Sequence, residues 1–218
     1  MTATDAQLAE AVAEVSRRDP VMATHIARVG RCDIRPGQGD YFQALARSIL
    51  YQQLAGKAAA AIHARFVSAV GGVVTPDAVL AAPLEALRGS GLSGAKAASI
   101  VDLATKATDG TVPLEGIEAF DDEEIIGRLT TVRGIGRWTA EMFLIFELRR
   151  LDVWPTLDLG VQQGLKLIYS LDERPTAKQM APMGDPFRPY RTIPAWYAWQ
   201  AVHIARGEMV LPTAPSTK

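Results

Sequence analysis

Apolar residues recur in this chain at the three-and-four spacing of an amphipathic helix, and no convincing run alternates as a half-buried strand would. Phe42, Leu45, Ala46, Ile49 and Leu50 form one such stripe behind Asp40, which is placed to cap it, and Gln53 continues the stripe four residues beyond Ile49. An Ala-rich helix is expected over 56–70, ended by Gly71 and Gly72. Short helices are expected over 76–82 and 83–88, and a longer one over 93–108. Asp121 and Glu124 have capping-box spacing for a helix ending near Leu129. Further helices are expected over 137–149, 158–170 and 196–206, with Pro155 breaking the chain between the first two. Residues 174–194 hold five prolines and read as loop with one short helix, and the tail after Val210 reads as frayed. The pattern predicts an all-α protein.

With 218 residues, 48% of them hydrophobic, the chain can bury one large core or two small ones. Its net charge of −1 gives no global sign of a polyanionic partner, so any nucleic-acid contact needs a local basic face. A single cysteine, Cys32, excludes an internal disulfide and an all-cysteine metal or iron–sulfur site within one chain. The three histidines, His25, His63 and His203, make no metal-binding spacing. No apolar run has the length of a membrane span, and residues 1–19 carry acidic side chains without the layout of a secretory leader. No membrane partner is expected, and the protein is expected to be cytoplasmic.

The segment 129–140 is the most informative. Gly134 and Gly136 permit positive φ and leave backbone amides uncovered where a helix begins, with Arg133 and Arg137 beside them and Ile135 plugging the turn. Amides at a helix N-terminus attract an anion such as phosphate. Taken alone, the same residues also make an ordinary helix–helix turn. Asp158, between Pro155 and an apolar helical run, is likewise open to two compatible readings. It is a helix N-cap, and it is a carboxylate held in a fixed direction.

Four blocks in order then resemble the helix-hairpin-helix DNA glycosylase superfamily, in its alkylbase (3-methyladenine DNA glycosylase II) branch. They are residues 47–54 (Arg-Ser-Ile-Leu-Tyr-Gln-Gln-Leu), 91–96 (Gly-Leu-Ser-Gly-Ala-Lys), 132–140 (Val-Arg-Gly-Ile-Gly-Arg-Trp-Thr-Ala) and 153–159 (Val-Trp-Pro-Thr-Leu-Asp-Leu). A fifth, 187–191 (Phe-Arg-Pro-Tyr-Arg), fits the alkylbase branch. The likeness runs over about 41–207. It implies two helical lobes with a cleft between them for an extruded base, and no iron–sulfur cluster. One lobe would be 36–145, containing the hairpin; the other would be 1–35 with 146–218. It implies a monomer acting on double-stranded DNA that carries alkylated bases. The activity implied is hydrolysis of the N-glycosidic bond of 3-methyladenine- or 7-methylguanine-type purines after base flipping, without AP-lyase activity.

By the same resemblance Asp158 is the catalytic carboxylate, stabilising the positive charge that builds on the sugar. Leu157 stands where many relatives carry a second acid, and Asp152, Asp172 and Asp185 fit no block and read as surface. Trp138, Met142, Phe187 and Tyr190 match the base pocket, with Met142 in place of an aromatic. Gln53 matches the wedge that fills the hole left by a flipped nucleotide, and Leu54 is the alternative. Arg133, Gly134, Ile135, Gly136 and Arg137 match phosphate binding; Ser93, Gly94 and Lys96 are candidates for a second phosphate or a plain capped helix, and Arg191 and Lys57 are further basic candidates. The carbonyls of Thr130, Val132 and Gly134 match a monovalent-cation site for Na+ or K+; no other cofactor is expected. A non-catalytic hairpin protein and a glycosylase for oxidised or mismatched bases are the competing readings. The first has no use for the Asp158 block, and the second needs polar groups to read a neutral base.

Overall fold

The computed structural model describes residues 2–37 and 40–209. Every regular element among them is helical. By internal contacts the chain divides into a central unit, Gly37–Glu147, and a terminal unit assembled from Thr2–Pro36 and the chain from Leu148 onward. The tail from Val210 onward lies outside the described residues.

The central unit holds α3 (Tyr41–Tyr51), α4 (Gly56–Ala69), α5 (Pro76–Ala81), α6 (Leu84–Gly89), α7 (Gly94–Thr108), α8 (Asp122–Thr130) and α9 (Arg137–Phe146). The terminal unit holds α1 (Asp5–Arg18), α2 (Pro20–Val29), α10 (Leu159–Ile168), α11 (Ala177–Met183) and α12 (Thr192–Ala205). In the central unit α7 is the shared support. Ile100, Leu103 and Ala104 are fully buried, and the helix packs against α3, α5 and α6. The expected stripe on α3 is buried at Phe42, Leu45, Ala46, Ile49 and Leu50, capped by Asp40 through the Gln43 amide. It stops short of the wedge candidate, however. α3 ends at Tyr51, and Gln53 lies in a turn at φ 57, so Gln53 is not a continuation of the helical face.

In the terminal unit α12 is apolar on nearly every side and packs against α10, α2 and α1. Its closest approach is to α10. A Cβ at Gly164 would lie 2.0 Å from the Ala198 carbonyl oxygen, so only glycine lets the two backbones meet there. α12 starts at Thr192, four residues before the expected start, because Pro194 falls in the first turn, where a missing N–H costs nothing. The Pro-rich stretch before it contains α11 and a 3-10 turn over Asp185–Phe187. α9 ends at Phe146 rather than Arg149, which adopts φ 50 and turns the chain.

Candidate active site and phosphate clamp

Pro155 ends the preceding segment, and a tight turn brings the Asp158 N–H onto the Pro155 carbonyl at 3.0 Å. Asp158 is then the N-cap of α10. Its Oδ1 accepts the Val161 N–H at 2.8 Å, so the carboxylate sits over the positive end of the helix. The same oxygen accepts the Trp199 indole Nε1–H at 2.9 Å. That indole lies across the start of α10 because residue 160 is glycine: a Cβ there would stand 2.9 Å from the indole ring and 3.0 Å from Asp158 Oδ1. Two donors therefore fix the carboxylate's direction. Asp158 is 6% exposed, while Leu157 and Leu159 on either side are 56% and 60% exposed. The arrangement is a buried, oriented carboxyl group flanked in sequence by two exposed leucines.

The hairpin joins α8 to α9. Gly134 takes φ 80, and a Cβ on it would lie 2.8 Å from Ser99 Oγ; Gly136 takes an ordinary φ of −97, so only one of the two glycines uses the left-handed region. Ile135 is buried, as its place between them requires. Val132 N–H bonds Leu129 O, Ile135 N–H bonds Val132 O, and Arg133 N–H bonds Asp102 Oδ2 at 2.7 Å. Among the described residues no acceptor meets the Gly134, Gly136 or Arg137 N–H, and α9 has no side-chain N-cap. Three amides thus remain at the positive end of a helix, the composition of an anion site.

Asp102 was not singled out by sequence. It receives the Arg133 amide and the Lys106 ammonium (2.8 Å), and Lys106 also donates to Thr131 O at 2.5 Å. Burial acts to raise the Asp102 carboxyl's pKa, but the Arg133 amide and Lys106 outweigh it and hold the group below its ordinary value. The pair ties the turn to α7. Of the carbonyls matched to a monovalent cation, Val132 O accepts Ile135 N–H and Gly134 O accepts Gln52 Nε2 at 3.0 Å; each keeps a second lone pair.

Several basic candidates are already engaged within the chain. Arg137 pairs with Glu123 and Glu141, and its hydrogen bond to Glu123, more than its partial burial opposes, pushes its pKa above the ordinary value. Arg133 has no carboxylate within ion-pair distance among the described residues. Ser93 caps α7 through the Lys96 amide, and the Lys96 ammonium bonds the carbonyls of Leu50 and Gln52 at 2.7 Å each. The block 93–96 is a capped helix whose lysine reaches back to the end of α3. Arg191 makes paired bonds to Asp152, which is half-buried and not the free surface residue expected. Gly94 stands at the first position of α7, and Lys57 at the second of α4.

The expected pocket residues fall into different surroundings. Trp138 is 43% exposed and begins a face of α9 that continues through Met142 to Phe146, a residue the sequence reading passed over. Met142 and Phe146 line a cavity of about 180 Å³ with Ala44, Leu45 and Ser48 of α3 and Thr139, Phe143 and Glu147. Phe187 is only 3% exposed and belongs to the core, whereas Tyr190 is half-buried with the Arg18 guanidinium 5.9 Å from its ring centre. Gln53 and Leu54 are both exposed in the turn after α3.

A family model for HhH-GPD superfamily base excision DNA repair proteins matches residues 46–185, from α3 through the hairpin and Asp158 to the end of α11. This chain belongs to that family. Among HhH-GPD proteins it is 38% identical over 167 residues to DNA-3-methyladenine glycosylase 1 of Schizosaccharomyces pombe, covering 75% of this chain and 73% of that one. A solved structure of a 3-methyladenine DNA glycosylase from the same yeast, in complex with abasic DNA, superposes with a TM-score of 0.76 at 35% identity, over 88% of this chain and 95% of that one. A DNA-3-methyladenine glycosidase from Bacillus halodurans gives a TM-score of 0.84 at 34% identity over 91% of each chain. Against these HhH-GPD relatives the all-α architecture with its helical hairpin is the family's own.

Proposed function

We propose that the chain is a monofunctional DNA glycosylase for alkylated purines, in which Asp158 stabilises the cationic sugar. The observation that carries this reading is the buried Asp158 carboxylate, held by the Val161 amide and the Trp199 indole at the N-terminus of α10. The relatives at 34–38% identity are named 3-methyladenine glycosylases or glycosidases, which supports the same substrate class.

When the C1′–N bond breaks, its electron pair leaves with the base and positive charge builds on the deoxyribose. A fixed carboxylate lowers the energy of that charge without reorganising as it forms. A ring-alkylated purine is already cationic, so it departs neutral and needs no acid. Water then adds its oxygen to C1′ and releases a proton, leaving an abasic site. The amides of Gly134, Gly136 and Arg137 hold a backbone phosphate, Trp138 and Met142 contact the extruded base, and Gln53 fills its place in the stack. A Na+ or K+ ion at the Thr130, Val132 and Gly134 carbonyls would brace the turn and takes no part in bond cleavage. Relatives that also cut the strand use a lysine amine as a nucleophile two residues after the second hairpin glycine; that position here is Trp138.

Two measurements test this. Purified protein is incubated with methylated duplex DNA, and the released bases are identified by mass spectrometry. Wild type should release 3-methyladenine and 7-methylguanine, and Asp158→Asn, which keeps size and capping, should lose nearly all release while retaining DNA affinity within a few-fold. Full activity in the Asn variant would remove Asp158 from the chemistry. Borohydride added during turnover should trap no protein–DNA adduct. An adduct abolished by replacing one particular lysine would make the enzyme bifunctional.

A further inference from the structure

Gln53 occupies the left-handed region at φ 57, a conformation that side chains bearing a Cβ enter only at a cost. Such a residue persists where its surroundings over-determine it, and turns of this kind mark functional positions. The constraints on this turn come from one other helix and from the hairpin. Lys96 of α7 gives its ammonium to the Leu50 and Gln52 carbonyls, and the Gln52 side chain donates to the Gly134 carbonyl of the hairpin. The Leu54 N–H closes the turn onto Tyr51 O at 3.3 Å.

The two carbonyls taken by Lys96 belong to the end of α3, where carbonyls lose their intrahelical partners and the helix dipole is negative. α3 has no basic residue in its own last turn. A cation from α7 therefore supplies what the local sequence omits, and it does so immediately before Gln53. The ammonium is partly buried, which lowers its pKa.

We propose that Lys96 is a positioning residue for the duplex wedge, holding the end of α3 so that Gln53 stays in the left-handed state from which its side chain enters the stack. The proposal rests on the reading of Gln53 as the wedge. Without the ammonium the Leu50 and Gln52 carbonyls lose their partner, and Gln53 relaxes to an ordinary φ that redirects its side chain. The loss is felt where a stacked base must be displaced and not where stacking is already broken.

The test is single-turnover release of 7-methylguanine from an intact duplex and from one with a single-nucleotide gap opposite the lesion. The proteins are wild type, Lys96→Met, Lys96→Arg, Gln53→Ala and the double variant Lys96→Met/Gln53→Ala. Lys96→Met should slow release from the duplex about tenfold and from the gapped substrate no more than about twofold, the separation expected if it acts through a strained turn. Lys96→Arg should restore most of the duplex rate. The double variant should be no slower than Gln53→Ala, because a residue acting through another shows no additive loss. Equal losses on both substrates, or additive losses in the double variant, would overturn the role of Lys96. Equal losses on both substrates from Gln53→Ala alone would instead overturn the wedge reading. If Lys96→Met does not fold, as judged by thermal melting, Lys96→Gln carries the same comparison.

Discussion

Asp158 and Trp199 meet from points in the chain 41 residues apart, joined by the indole N–H to carboxylate bond at the proposed centre. Trp199→Phe keeps the ring and removes only the donor. It should slow base release roughly ten- to a hundredfold, the ~1.5–3 kcal/mol of one hydrogen bond to a charged group, with the melting temperature little changed. Single-turnover release from methylated DNA checks this, and an unchanged rate would leave Trp199 a packing residue only. Asp158 was readable as a helix cap because a proline, a cap residue and an apolar run are neighbours in sequence; its proposed role came only from the family resemblance. Trp199 was not, because an indole in an apolar helix looks the same whether its N–H finds a carboxylate or a carbonyl. The partners of the basic candidates were not legible for the same reason: Glu123, Asp152 and the Leu50 and Gln52 carbonyls, which meet Arg137, Arg191 and Lys96, lie 14, 39 and more than 40 residues away from them.

At the level of elements, the helices were legible where caps and stripes are local, as in α3, α4 and α7, and their ends were misread where the backbone turns on a non-glycine residue, at Gln53 and Arg149. The hairpin shows why two glycines that look alike in sequence differ. Gly134→Ala forces a Cβ into the left-handed region and against Ser99 Oγ, so it should destabilise the fold by about 1–3 kcal/mol. A Cβ at Gly136 meets nothing within 4 Å and has an ordinary φ. Gly136→Val should therefore lose only about 1 kcal/mol, the cost of a poorer N-cap, and still bind every duplex sequence more weakly, because its side chain covers the amides offered to phosphate. Thermal melting and titration of two unrelated duplexes separate the cases. Normal affinity in Gly136→Val would argue against a backbone phosphate clamp. Asp102 and Lys106 stand on α7 six and ten residues beyond Lys96, roughly 9–15 Å along the helix. One helix thus carries the tether of the Gln53 turn at one end and that of the hairpin at the other.

For the molecule as a whole, Cys32 offers a direct readout of the terminal unit. Burial pushes its thiol up to about 12, so it is unreactive as long as α1, α2 and α12 stay packed. Thiol reagent should label native protein at pH 7–8 only through opening of that unit, and labelling as fast as in denaturant would show the unit to be open. The organisation of the two units was implied by the family likeness rather than by any feature of composition. That organisation has a consequence for synthesis. The central unit is one uninterrupted stretch, whereas α1 and α2 pack on each other but must wait for α12, which packs against both, before the terminal unit is complete. At translation rates of about 5–20 residues per second that wait is on the order of ten seconds or more. A ribosome stalled before Trp199 would hold a chain that already has its hairpin and its aspartate but lacks the indole that aims the carboxylate. With the hairpin as the phosphate grip proposed above, unfinished copies would hold nucleic acid without cutting a glycosidic bond, a built-in ordering in which grip precedes chemistry.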